Sequence, residues 1–131
     1  ARPDGEATVT IAASGLDPNG IERRLAAADV MICRAGAMTI SEAMFCGVPC
    51  ILVPLPQAKS DEQRQNASAV ARADAGVVVE DGEFDAPRLV GCLRPFLESA
   101  AHLASVSANC EKVAKPNATH EIAAALEAYL I

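Results

Sequence analysis

Asp29-Val30-Met31-Ile32-Cys33-Arg34-Ala35-Gly36-Ala37-Met38-Thr39-Ile40-Ser41-Glu42 is the stretch from which the fold can be read. Residues 29–33 form a short, mainly apolar run, the pattern of a strand buried on both faces of a parallel sheet. Small residues around Gly36 make a turn after Arg34, and residues 38–46 then carry helical spacing. Gly47 ends that helix and Pro49 lies just beyond it, because Gly accepts the left-handed cap conformation and Pro cannot continue a helix. Residues 50–54 are apolar again and predict the next strand. Strand, turn, helix and strand together make a βαβ unit.

The same alternation extends in both directions. Upstream, residues 8–13 predict a strand, 14–20 a loop, and 21–28 a helix. Downstream, 55–60 is a loop with Pro56, 61–75 an amphipathic helix ended by Gly76, and 77–80 a strand. The remainder predicts helices over 86–99, 101–114 and 119–130, with Pro116 separating the last two and Thr119 as an N-cap. The expected fold class is α/β, a parallel sheet with flanking helices. Four strands are few for a doubly wound domain, which points to part of a larger protein.

Composition limits the function classes. The chain has 131 residues, 51% apolar and 21% charged, the make-up of one globular domain. Its net charge of -6 argues against nucleic acid as a partner, since phosphate backbones call for a basic face. No apolar run approaches the roughly 20 residues of a membrane helix, and the first residues lack a signal-peptide core. Cys33, Cys46, Cys50, Cys92 and Cys110 are an odd number without metal-type spacing. They read as small buried hydrophobes in a reducing cytoplasm, and no metal or cofactor is called for.

Ligands of open parallel sheets bind beyond the carboxyl ends of the strands, at helix starts. Residues 34–42 are the first such junction. Gly36 permits close backbone approach to a ligand, the N–H groups near Ala37, Met38 and Thr39 face outward at the positive helix end, and Arg34 adds a forked cation. Together they form a diphosphate cradle. Glu42 has two readings: Thr39 to Glu42 matches a capping box, and a carboxylate here also suits a ribose diol. Spacing alone favours the cap. The turn matches neither the dinucleotide glycine fingerprint nor the P-loop.

The second junction starts the helix at Asp61. Gln63, Arg64 and Asn66 present amide and guanidinium donors suited to sugar hydroxyls; the alternative is a solvated first turn with acids at its N-terminus. At the third junction, 14–20, Leu16 either covers a base or tucks onto the core. No nucleophile or acid–base pair can be assembled. His102, His120, Glu111, Glu121 and Glu127 read as solvated helix residues.

Residues 28–43 resemble the C-terminal domain of the MurG family, the peptidoglycan N-acetylglucosaminyltransferases of the GT-B fold. The likeness continues through 47–56, 62–67 and 73–80, and is looser in the helical tail. It implies a Rossmann-like half of a GT-B enzyme that holds UDP-N-acetylglucosamine. Arg34, Gly36, Ala37, Met38 and Thr39 would face the diphosphate and sugar, and Glu42 the ribose hydroxyls, in place of a pure cap. Gln63 would read sugar hydroxyls, Asn66 would support its helix, and Leu16 falls near the uracil position. Ala35 stands where many relatives have Ser, and Glu62 where His or Gln is usual.

The family's glycine-rich donor loop, acceptor domain and catalytic base have no counterpart in these residues. The resemblance therefore implies a donor-binding fragment of an inverting transferase that acts on lipid-linked muramyl-pentapeptide at the cytoplasmic membrane face. A stand-alone UDP-sugar-binding subunit, paired with a separate acceptor-binding chain, is the alternative.

Overall fold

The computed structural model describes residues 21–56 and 60–130. Its elements are α1 (Ile21–Ala27), β1 (Met31–Cys33), α2 (Ala37–Phe45), β2 (Cys50–Leu52), α3 (Glu62–Arg72), β3 (Gly76–Val78), α4 (Ala86–Glu98), α5 (Ala100–Asn109) and α6 (Ala118–Glu127). Short 3-10 turns fill Asp81–Glu83 and Cys110–Lys112. The strand expected over 8–13 and the loop with Leu16 lie outside the described residues.

The three described strands run parallel in the order β1-β2-β3. Met31 pairs with Cys50 and Cys50 with Gly76, so the register is level across the sheet. The ladder extends past the strand ends: Val53 N–H donates to the Cys33 carbonyl and Val79 N–H to that of Leu52, both at 2.9 Å. That extension aligns the carboxyl ends of all three strands along one rim.

β2 is buried on both faces, as a central parallel strand must be. Its side chains alternate with the period of two of a strand. Cys50 and Leu52 join the core formed by Ile40, Ala43 and Met44 of α2 with Ala67 and Val70 of α3. Ile51 and Val53 turn to the opposite face, against Val79 and Cys92 of α4. The sheet is thus a middle layer between α2 with α3 and α4. Among the described residues, α6 buries none of its side chains.

Two helix ends differ instructively. Gly47, at φ 69°, closes α2 in the left-handed conformation; its N–H bonds to Met44 and that of Val48 to Ala43. α3 was expected to stop at Gly76, yet Asp74 adopts the left-handed turn at φ 52°. Its exposed carbonyl accepts from Asn109 Nδ2 at 3.1 Å. Gly76 instead opens β3, where a Cβ would lie 2.3 Å from the Cys50 carbonyl oxygen. Close strand packing, and not a helix cap, is what demands glycine there. Thr119 lies inside α6, whose N-cap is Asn117.

The cysteines also divide. Cys50, Cys92 and Cys110 are buried and Cys33 is half-buried, in line with the apolar reading, but Cys46 is exposed at the end of α2. All five are free thiols.

Candidate functional site at the carboxyl rim

The rim begins where β1 ends. α2 starts at Ala37, with Gly36 as an N-cap that has no side chain to donate to. Among the described residues the N–H groups of Ala37, Met38 and Thr39 have no side-chain cap, and they lie at the positive end of the helix. Gly36 has φ -68°, open to any residue, and a Cβ there would meet only Thr39 Oγ1, at 4.0 Å. Among the described residues, nothing in the packing requires glycine at this position. Met38 is 74% exposed and Thr39 half-buried at the same helix start.

The capping-box reading of Glu42 is corrected by this geometry. Thr39 sits within the first turn and Glu42 in the second, so their spacing does not correspond to an N-cap and its third helical residue. The Glu42 carboxylate is exposed and makes no hydrogen bond or ion pair among the described residues.

The second junction is brought against the first by two amides of α3. Gln63 Oε1 accepts from Leu55 N–H at 2.9 Å and from Ala35 N–H at 3.3 Å. Asn66 Nδ2 donates to the Ala35 carbonyl at 3.1 Å. Both polar groups of the buried Ala35 backbone are thereby satisfied by one helix, which fixes the turn that precedes α2. Asn66 thus supports the neighbouring turn. Gln63 has its oxygen committed to backbone and can offer a ligand only its amide N–H groups.

Arg34 spans the rim from the end of β1. Its Nη1 donates to the carbonyls of Val53 (3.3 Å) and Pro54 (3.5 Å) and to Asp81 Oδ1 (2.5 Å). Arg64 on α3 pairs with Glu80 at 3.0 Å. The sequence reading did not single out Glu80 and Asp81; two acids directly after an apolar strand run were the available signal. Leu16 lies outside the described residues. His102 is exposed on α5 against Phe96, with ring centroids 5.1 Å apart, and His120 is exposed on α6.

A shallow cavity of about 790 Å3 lies elsewhere, lined by Phe45, Cys46 and Gly47 at the end of α2 and by Ala104, Ser107 and Glu111. It sits toward the amino end of β2, away from the rim, and holds none of the site residues read from the sequence. Among the described residues no cluster of His, Cys, Asp or Glu could hold a metal.

Three parallel strands between helical layers, with an uncapped helix start at the carboxyl rim, define a Rossmann-like α/β half-domain of the GT-B type. Residues 18–122 match the family described as glycosyltransferase family 28 C-terminal domain, and the chain belongs to that family. It is 38% identical over 100 residues to a relative from Geobacter sp. (strain M21), covering 76% of this chain and 27% of the relative. A relative from Burkholderia cenocepacia (strain HI2424) is 44% identical over 98 residues, covering 75% and 26%. Both are named UDP-N-acetylglucosamine–N-acetylmuramyl-(pentapeptide) pyrophosphoryl-undecaprenol N-acetylglucosamine transferase.

Among solved structures, MurG of Acinetobacter baumannii superposes with a TM-score of 0.71 at 30% identity, over 88% of this chain and 32% of that one. The glycotransferase of kitacinnamycin, at 23% identity and TM-score 0.55 over 70% of this chain and 23% of that one, shares the fold. The chain spans about a quarter of the length of the curated relatives it matches.

Proposed function

We propose that this chain is the donor-binding part of an inverting glycosyltransferase that moves N-acetylglucosamine from UDP-N-acetylglucosamine to a lipid-linked muramyl-pentapeptide in peptidoglycan synthesis. Family membership and the names of its relatives support the reaction class. The observation that carries the site is Gly36, a glycine that no neighbour among the described residues requires, in front of three N–H groups without a side-chain cap. Such a place suits an anion that approaches the backbone closely.

In this reading the diphosphate lies against Gly36, Ala37, Met38 and Thr39, with Arg34 beside it. The free Glu42 carboxylate accepts from the ribose hydroxyls, and the Gln63 amide donates to hydroxyls of the sugar. Leu16 borders the uracil. As the acceptor hydroxyl attacks the anomeric carbon, the bond to the diphosphate breaks and negative charge grows on departing UDP. The helix start and Arg34 stabilise that charge. The base that takes the hydroxyl proton comes from another part of the enzyme, so the chain alone binds donor without transferring sugar. In this reading the reaction takes place at the cytoplasmic membrane face; among the described residues no helix is long and apolar enough to cross a membrane.

Titration of the isotopically labelled chain with UDP-N-acetylglucosamine, followed by two-dimensional NMR, tests this. The amides of Gly36, Ala37, Met38, Thr39 and Glu42, with the Gln63 side chain, are expected to shift together. Shifts confined to other parts of the molecule, or none up to millimolar ligand, contradict the reading.

A further inference from the structure

Glu80 and Asp81 are neighbours just beyond β3, and each holds an arginine from a different element: Glu80 holds Arg64 of α3, and Asp81 holds Arg34 at the end of β1. The contacts of Arg34 are uneven. Val53 O, Pro54 O and Asp81 Oδ1 all converge on Nη1. A guanidinium is a rigid plane with five N–H donors, so fixing one terminal nitrogen orients the whole fork. Nε and Nη2 are left without a partner among the described residues. That remaining edge can make a two-pronged contact with a phosphate.

On the phosphate role proposed above for Arg34, we infer that Asp81 is a positioning residue for nucleotide binding. It anchors Arg34 Nη1 together with the two carbonyls and turns the free edge of the guanidinium toward the ligand. The carbonyl contacts alone, at 3.3 and 3.5 Å, are too long to hold a long, mobile side chain in one rotamer. Asp81 also brings a negative charge close to an anion site, which by itself opposes binding. Both side chains are largely solvated, 49% exposed for Arg34 and 40% for Asp81, so water and salt screen that repulsion. The ordering of Arg34 is not screened, and it decides the sign of the effect.

The test is the UDP affinity of the chain, read by NMR titration, for the wild type, R34A, D81A, D81N and D81E. R34A is expected to weaken binding most. D81A should weaken it about three- to tenfold, the equivalent of losing the orientation of one long side chain. D81N keeps an oxygen acceptor for Nη1 and should fall between the wild type and D81A. D81E keeps the charge but shifts it by one methylene, and should also weaken binding. If D81A binds UDP as tightly as the wild type or more tightly while R34A is impaired, the positioning role is overturned and the phosphate role of Arg34 stands. If R34A itself binds normally, both are overturned. Should D81A fail to fold, D81N and D81E decide: wild-type affinity in D81E with altered affinity in D81N would assign the effect to charge and overturn the positioning role.

Discussion

Gln63 ties two loops together and, in the proposed reading, also serves the ligand. Its oxygen joins Leu55 to Ala35 across two loops, while its amide N–H groups stay available. Replacing it with Leu removes the acceptor and strands two backbone donors, one of them on a fully buried residue. Gln63→Leu is therefore expected to cost about 1–3 kcal/mol of stability in chemical denaturation. Gln63→Glu keeps an acceptor oxygen and should lose much less, yet it no longer donates to a sugar hydroxyl. An equal loss of stability in both variants would show that the two hydrogen bonds contribute nothing. Gly36 supplies the complementary case: with an ordinary φ and open space around its Cβ position, Gly36→Ala should change stability by less than about 1 kcal/mol while obstructing a ligand at the backbone.

Elements were legible in the sequence wherever apolar runs alternated with helical spacing. β1, β2 and β3 fall inside the runs at 29–33, 50–54 and 77–80, apart from Gly76 at the start of β3; the expectation of full burial holds for β2 but not for β1, where Ile32 is 44% exposed. The ends were less legible. Gly76 was read as a helix stop because glycine near a helix end usually is one, whereas a cross-strand contact 26 positions away in sequence, with Cys50, sets the requirement. Local sequence cannot display such a contact. For the same reason the capping box at Thr39 failed: it depends on where the helix starts, and the Ala35 turn held by α3 starts it at Ala37. Gly76→Ala should destabilise the domain by about 3 kcal/mol, since backbone and the Val70 side chain would both have to move. Gly82→Ala, where nothing lies within 4 Å, is the control and should shift the denaturation midpoint little.

At the scale of the molecule, the core between the helical layers is built mostly of aliphatic side chains and thiols. Burial pushes the Cys110 thiol up from 9.0 to about 11. The neighbouring Cys33 side chain, and then burial, push the Cys50 thiol up as well. A thiol whose folded pKa lies above its unfolded value stabilises the fold fully below the unfolded pKa, and that contribution is lost as pH rises through the folded one. Thermal stability is thus expected to fall between pH 9 and about 11, and Cys110→Ala should flatten that alkaline limb. An unchanged slope in the variant would remove Cys110 as its source. The sequence placed Arg34 and Gly36 at the strand-to-helix junction where the structure has them, while the ties of that junction through Asn66 and Asp81 appear only when strands and helices are assembled.

Glu42 gives the most direct access to the central claim, that the 34–42 segment holds the nucleotide, because among the described residues its carboxylate has no structural partner to lose. Glu42→Ala should leave the denaturation midpoint of the chain within about 0.5 kcal/mol of wild type. Its affinity for UDP, measured in the same preparation by NMR titration, should fall about tenfold or more, the loss of hydrogen bonds to a charged acceptor. UDP bound with wild-type affinity by a stable Glu42→Ala chain would contradict the account.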